Sequence, residues 1–302
     1  MKSTFCTAKE AQAQPNHVTP HYGQADGVIR PCDWDSIDFA KGAGSISSTA
    51  KDLANWLRFQ LAGGVFEKRR ILAEKQLRET HTPQMLLRAE GAFAPYFPTS
   101  VTNFTTYGLG WFVHDYRGLK AISHGGTLTG FRAQCMLIPD KKLGVFVVSN
   151  LRPSFFPEAV CKAVLDHQLG PKGIDWVKFY QAELTKFENN WKQFREKRTA
   201  ERKPLTKPSR ELKAYLGEFD NNAYGKATVT KEGDQLFVNW GKFTFKLEHF
   251  HFDTFTLIPV APADLLFTFD RATLELQFRL SADGEVSSLN FLDQSFWKKA
   301  KK

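Results

Sequence analysis

Residues 107–150 read YGLGWFVHDYRGLKAISHGGTLTGFRAQCMLIPDKKLGVFVVSN, and this stretch decides the architecture of the amino-terminal half. Alternating apolar and polar runs separated by glycine-bearing turns predict three strands. Ser123-His124-Gly125-Gly126-Thr127 is expected at the end of the first hairpin. Two successive glycines leave the backbone bare there, so a second backbone can come close to it.

Upstream, residues 42–64 (GAGSISSTAKDLANWLRFQLAGG) place Leu53, Trp56, Leu57 and Leu61 at helical spacing. Thr49 with Asp52 three residues on forms a capping pattern, so the segment predicts a helix over about 49–62. A second short helix is expected over 73–79. Residues 1–48 are loop-rich, with Pro15, Pro20 and Pro31, and residues 80–103, with Pro83, Pro95 and Pro98, are expected to be an irregular loop beside the site. Downstream, 157–170 opens on proline and closes on glycine, both helix punctuation.

From 173 to 203 the period lengthens. Trp176, Phe179, Tyr180, Leu184, Phe187, Trp191 and Phe194 fall on one face of a long helix. A linker helix is one meaning of that face, and a coiled-coil dimer seam is the other. Lys203-Pro204 and Lys207-Pro208 mark a boundary. Beyond it the period shortens to two, and eight strands are predicted at 216–221, 226–231, 235–240, 242–249, 253–259, 264–270, 274–280 and 286–292. Eight short strands with no helical gap imply an up-and-down meander that closes on itself.

A chain of 302 residues accommodates two domains at the usual ~100–200 residues each. The formal net charge of +9 raises nucleic-acid binding, but much of it sits in two places. Arg195, Lys197, Arg198, Arg202 and Lys203 form a helix face interrupted by Glu196 and Glu201, and Lys298, Lys299, Lys301 and Lys302 form an expected frayed tail. No recognition-helix or aromatic RNA-binding motif accompanies them, so no nucleic-acid partner is expected. No apolar run approaches the ~20 residues of a membrane span. Cys6, Cys32, Cys135 and Cys161 are scattered, without a CxxC pair, and signal neither zinc nor a disulfide framework. His249, His251 and Asp253 share one face of a predicted strand and have the residue types of a zinc site; a polar outward face is the competing reading. No cofactor is implied.

The His-Gly-Gly element within 107–150 resembles the third motif of the serine β-lactamase and penicillin-binding-protein superfamily, where Lys-Thr-Gly is replaced by His-x-Gly in some branches. Residues 1–5 (MKSTF) resemble a family segment lying downstream of the nucleophile and middle motif, and 42–56 resembles the helix start that follows the catalytic part. The resemblance implies the carboxy-terminal portion of an α+β hydrolase domain. The opening of the last domain, Leu212-Lys213-Ala214-Tyr215-Leu216-Gly217-Glu218-Phe219, resembles the lipocalin-like carboxy-terminal domain of some members. In an archaeal self-compartmentalising serine protease that domain drives oligomerisation, so a homo-oligomer through the barrel or linker helix is implied. The domains expected are 1–170, a partial β-lactamase-related domain; 171–208, linker helix and boundary; and 209–302, a lipocalin-like β-barrel.

The family's nucleophile lies in Ser-x-x-Lys, and this chain has that spacing only at Ser48–Lys51 and Ser295–Lys298. Ser48 precedes the Thr49 cap, which favours capping over catalysis, and Ser295 falls in the expected tail. Tyr-x-Asn is absent, and Ser288-Leu289-Asn290 lies in a predicted barrel strand. Carried over residue by residue, the resemblance makes His124 the third-motif side chain, beside the tyrosine or the leaving group. Gly125 and Gly126 admit an extended substrate along the strand edge, and the Thr127 N–H is one of two oxyanion donors. Two functions are implied. One is a fragment of a serine hydrolase (peptidase, esterase or amidase) acting on a small-molecule or peptide acyl substrate and inactive as given. The other is a non-catalytic binding or assembly protein.

Overall fold

Thr49 starts helix α1 (Ala50–Leu61): its extended backbone carries a hydroxyl that accepts the Asp52 N–H, which is the predicted cap. The computed structural model describes residues 1–23, 28–34, 38, 41–170, 173–241, 243–260, 274–291 and 293–299. They fall into two units, Met1–Lys186 and Phe187–Lys302.

In the first unit, helix α2 (Glu74–Thr80) follows α1 as the periodicity predicts. A six-stranded antiparallel meander then runs β1 (Met85–Leu87), β2 (Thr105–Tyr107), β3 (Phe112–Tyr116), β4 (Leu119–Leu128), β5 (Phe131–Ile138) and β6 (Leu143–Ser149), each paired with the next. Two expectations are corrected here. Residues 107–150 hold four whole strands rather than three, and β1 lies inside the segment 80–103 expected to be irregular, pairing with β2 just beyond it. The first hairpin turns on Arg117-Gly118, both at positive φ (53° and 78°). Such a two-residue turn needs the left-handed region twice, which asparagine would have signalled and arginine concealed. Ser123–Thr127 therefore lies well past that turn, extended within β4.

Helix α3 (Phe156–Leu169) covers one face of the sheet, where Cys161 and Leu165 are fully buried against Tyr116, Met136 and Ile138. Helix α1 covers the other, packing Leu57 and Leu61 on Ile122, Leu137 and Phe146. Edge strand β6 feeds both clusters, Val145 and Val147 to α3 and Phe146 to α1. Gly144 lets α1 sit close, since a Cβ there would come within 2.9 Å of Leu137 and 3.2 Å of Leu61.

The long helix α4 (Trp176–Ala200) buries Trp176 and Tyr180 in the α3 cluster. Along its later half Phe187, Trp191 and Phe194 stack edge to face on one another. In the second unit, eight antiparallel strands form a closed barrel: β7 (Gly217–Asn221), β8 (Gly225–Glu232), β9 (Gln235–Trp240), β10 (Phe243–His251), β11 (Thr254–Pro259), β12 (Glu275–Leu280), β13 (Val286–Phe291) and β14 (Gln294–Lys298). Its interior is filled by side chains, among them Phe219, Phe245, Phe278 and Phe296. The strand predicted at 264–270 lies outside the described residues. The closing strand β14 corrects the expected tail: it pairs Asp220 with Trp297 and Phe219 with Lys298, completing the ring.

Candidate functional site

Strand β4 is ten residues long because both its neighbours need it, but they need different parts. Its pairing with β3 ends at Ser123, opposite Phe112, whereas its pairing with β5 continues to Leu128, opposite Phe131. From His124 onward, β3 no longer covers the strand. There it borders a cleft of about 210 Å³, lined by Gly125, Gly126 and Thr127 on one side. Phe93, Phe97 and Phe112 form an apolar wall opposite a polar one.

The polar wall is buried and charged. Arg132 bonds the Glu158 carboxylate, the Thr127 hydroxyl and, at 3.1 Å, the Tyr96 hydroxyl. Burial pushes the Glu158 carboxyl up, while Arg132 pulls it back. Its Oε2, like Oε1 of Gln134, has no partner among the described residues. Lys162 donates to the Tyr180 hydroxyl at 2.8 Å and the Tyr96 carbonyl at 3.2 Å, and burial lowers its ammonium to about 8. Next to it, Asp166 takes both nitrogens of an Arg117 fork at 2.7 Å, the Tyr116 hydroxyl at 2.7 Å and the Trp176 indole at 2.8 Å. This lashes the first hairpin turn to α3 and α4.

Gly125, Gly126 and Thr127 line the cleft, whereas His124, next to them in β4, is turned onto Tyr107 and the Gly125 carbonyl. The His124 ring lies 3.0 Å from the Tyr107 hydroxyl through Nε2 and 2.6 Å from the Gly125 carbonyl through Nδ1. A carbonyl only accepts, so Nδ1 carries the proton and Nε2 receives the Tyr107 O–H. A second imidazole, His114, faces Ser123 at 3.0 Å through Nε2 and the Asp115 carbonyl at 3.0 Å through Nδ1. Burial lowers it to about 4, so it is neutral and, as a base, weak.

The other sequence candidates sit elsewhere. The Ser48 hydroxyl meets that of Thr4 at 2.8 Å, and Asp52 accepts from the Ser3 N–H at 2.7 Å and the Thr4 hydroxyl at 2.9 Å. The serine thus belongs to the capped start of α1, and Lys51 is exposed. Ser295 and Lys298 belong to β14. The face shared by His249 and His251 is broken by a register shift between them, and Asp253 accepts instead from Ser209 and Tyr215. Sequence reasoning missed Tyr107, Arg132, Glu158 and Lys162. Arg132 carried one signal, an arginine two residues past a turn in a mostly apolar strand, but Glu158 and Lys162 looked like ordinary helix polarity.

The beta-lactamase family model matches residues 1–169, and a domain of unknown function (DUF3471) matches 201–300. The chain is similar to the unguisins hydrolase ungD of Aspergillus violaceofuscus, 24% identical over 74% of this chain and 42% of that protein. It is also similar to ungD' of Aspergillus campestris, 23% identical over 99% of this chain and 56% of that protein. The chain thus spans about half the length of these curated relatives. A solved octameric penicillin-binding protein homologue from Pyrococcus abyssi covers 99% of the chain with 57% of its own, at 18% identity and a TM-score of 0.46. With more than half of its residues matched by that one family model, and with an α+β sheet domain followed by a closed barrel, the chain belongs to the beta-lactamase family.

Proposed function

We propose that this chain supplies the substrate-holding half of an acyl-transfer site in a serine hydrolase, and that the Ser-x-x-Lys nucleophile and Tyr-x-Asn residues come from sequence outside it. One observation carries the reading: β4 is paired on one side to Leu128 but on the other only to Ser123, and of the stretch thus left open Gly125, Gly126 and Thr127 line a cleft. Hydrogen-bond direction alternates along an antiparallel ladder. Counted from the closing pair Leu128–Phe131, that alternation turns the Thr127 N–H away from β5 and toward the open edge. An acyl carbonyl lying there would meet a fixed donor, the role of an oxyanion hole. Gly126, exposed and without a side chain, leaves room for an extended acyl or peptidyl chain. The curated relatives are named hydrolases, which agrees with this chemistry.

Two measurements test the proposal. Incubated with a fluorophosphonate or a labelled penicillin, the chain as given should acquire no specific adduct; an adduct at Ser48 would overturn both the capping assignment and the missing nucleophile. Titrated with an N-acetylated, amidated tripeptide, the isotope-labelled chain should show shifts at the Thr127 amide that Gly126→Val removes. A peptide that leaves residues 124–128 unperturbed would refute the edge as a substrate platform.

A further inference from the structure

His124 is the first residue of β4 beyond its pairing with β3, and neither nitrogen of its ring is free. Nδ1 is 2.6 Å from the Gly125 carbonyl, and Nε2 is 3.0 Å from the Tyr107 hydroxyl. Only one neutral tautomer satisfies both contacts: Nδ1 donates to the carbonyl, and Nε2 accepts from tyrosine. The opposite tautomer would set a bare Nδ1 lone pair against a carbonyl lone pair, a repulsive contact at that distance.

The tyrosine is held as firmly as the histidine. Its carbonyl accepts the Gln84 N–H at 2.8 Å, and Tyr107 pairs with both Met85 and Phe112 across the sheet. Gly108 beside it fits so closely under the end of α2 that a Cβ would lie 2.6 Å from the Thr80 carbonyl and 2.8 Å from that of Thr82. Leu109 donates to the same Thr80 carbonyl at 3.2 Å. Phe112 packs against both rings, its centroid 4.9 Å from Tyr107 and 5.5 Å from His124. The phenol thus stands on a rigid platform, which a group must have if it is to orient another.

We infer that Tyr107 is the positioning residue of this site: it locks His124 as the Nδ1–H tautomer turned onto the Gly125 carbonyl, so that the tyrosine oxygen is the polar atom the pair presents outward. Two consequences follow for whatever lies on the edge. One lone pair of the Gly125 carbonyl is taken by the chain's own imidazole, which leaves a single lone pair for a substrate N–H. His124 exchanges protons with a bound molecule through the phenol rather than directly. This deepens the acyl-transfer reading and rests on it for its functional meaning. The tautomer itself can be measured without substrate.

The test is long-range nitrogen–proton NMR on the full chain, at a pH where the imidazole is neutral. The wild type should show a protonated Nδ1 and a bare, hydrogen-bonded Nε2 for His124. Tyr107→Phe keeps the ring packing and removes the donor, so the Nε2–H population of His124 should rise several-fold. A wild-type spectrum with the proton on Nε2 overturns the inference even if the variant does not fold. So does a folded Tyr107→Phe chain with an unchanged tautomer, since Gly125 alone would then hold the ring. If the tautomer behaves as expected and the tripeptide still fails to bind, the acyl-transfer reading falls while the Tyr107–His124 lock stands.

Discussion

Single buried side chains make this fold sensitive to pH in a direction that can be worked out. His114 and His81 are both buried, and desolvation lowers each to about 4 from the ordinary value near 6.5. As pH falls, the unfolded chain takes up these protons first, so stability is full above about 6.5 and drains away between there and about 4. A shift of this size corresponds to roughly 3 kcal/mol at most for each histidine. Urea unfolding of the first unit should therefore weaken clearly from pH 7 to pH 4.5, and His114→Gln should remove about half of that loss. An unchanged midpoint across the range would show that these imidazoles are not buried and neutral. Arg132 gives a second expectation at the same scale. Its partner Glu158 is 1% exposed, so Arg132→Met strands a carboxylate and should cost about 3–5 kcal/mol, measured in the same titration. Replacing both by methionine should recover much of the loss, because two desolvated charges then disappear together. If the double variant is no better than the single one, the pair contributes more than mutual neutralisation.

Secondary-structure elements show which parts of the molecule local sequence encodes. Helix α1 was legible from Thr49, Asp52 and the leucine spacing, and the cap is where those residues put it. Thr49→Ala should accordingly cost about 1 kcal/mol in thermal or urea unfolding. Ser48→Ala, one position earlier, loses only its bond to Thr4 and should cost less. Equal losses would mean that Ser48 is the true cap. The helix at 156–169 and most barrel strands were legible for the same reason: period and punctuation are properties of neighbours in sequence. What escaped was made by distant pairing. Strand β14 runs into a lysine-rich end of the sequence and looks like a tail until β7, far upstream, closes on it. Arg132 meets Glu158 across 26 residues, and Tyr107 meets His124 across 17, so no local window joins them. The glycine pair in β4 was found, but its place in mid-strand was not, because Arg117-Gly118 is an unannounced turn. Gly144 belongs with these. Its need for a bare backbone is set by Leu137 across the pair and, more than eighty residues upstream, by Leu61 of α1, and Gly144→Val should overpack these contacts at a cost of ~1–3 kcal/mol.

At the scale of the whole chain, the two units close their sheets differently, and their stabilities should differ with them. The barrel pairs every one of its eight strands on both sides, so it has no free edge. Its interior is a single cluster of buried aromatic and aliphatic side chains. Among the described residues the sheet of the first unit is open: β6 is paired there only to β5, and six of its seven residues are half-buried. Within the second unit, the end of α4 also braces the barrel, with an Arg198 fork on Glu275 and Arg202 donating to the carbonyls of His249 and Phe250. A segment of residues 209–302 should therefore fold alone, with a β-type circular dichroism spectrum and a cooperative melt. A segment of residues 187–302 should melt several degrees higher. A disordered or helical spectrum from 209–302 would refute an autonomous barrel, and identical melting of the two segments would show that the helix end adds nothing. The same contrast should appear in the intact chain. Amides open locally at a cost set by the pairing and burial around them, and an edge strand opens before a closed ring does. In a monomeric fraction, hydrogen exchange should be faster across 143–149 than across any strand from β7 to β14. Slow, uniform exchange in both units would mean that the free edge of β6 is covered in solution, and the open-sheet description of the first unit would have to be given up.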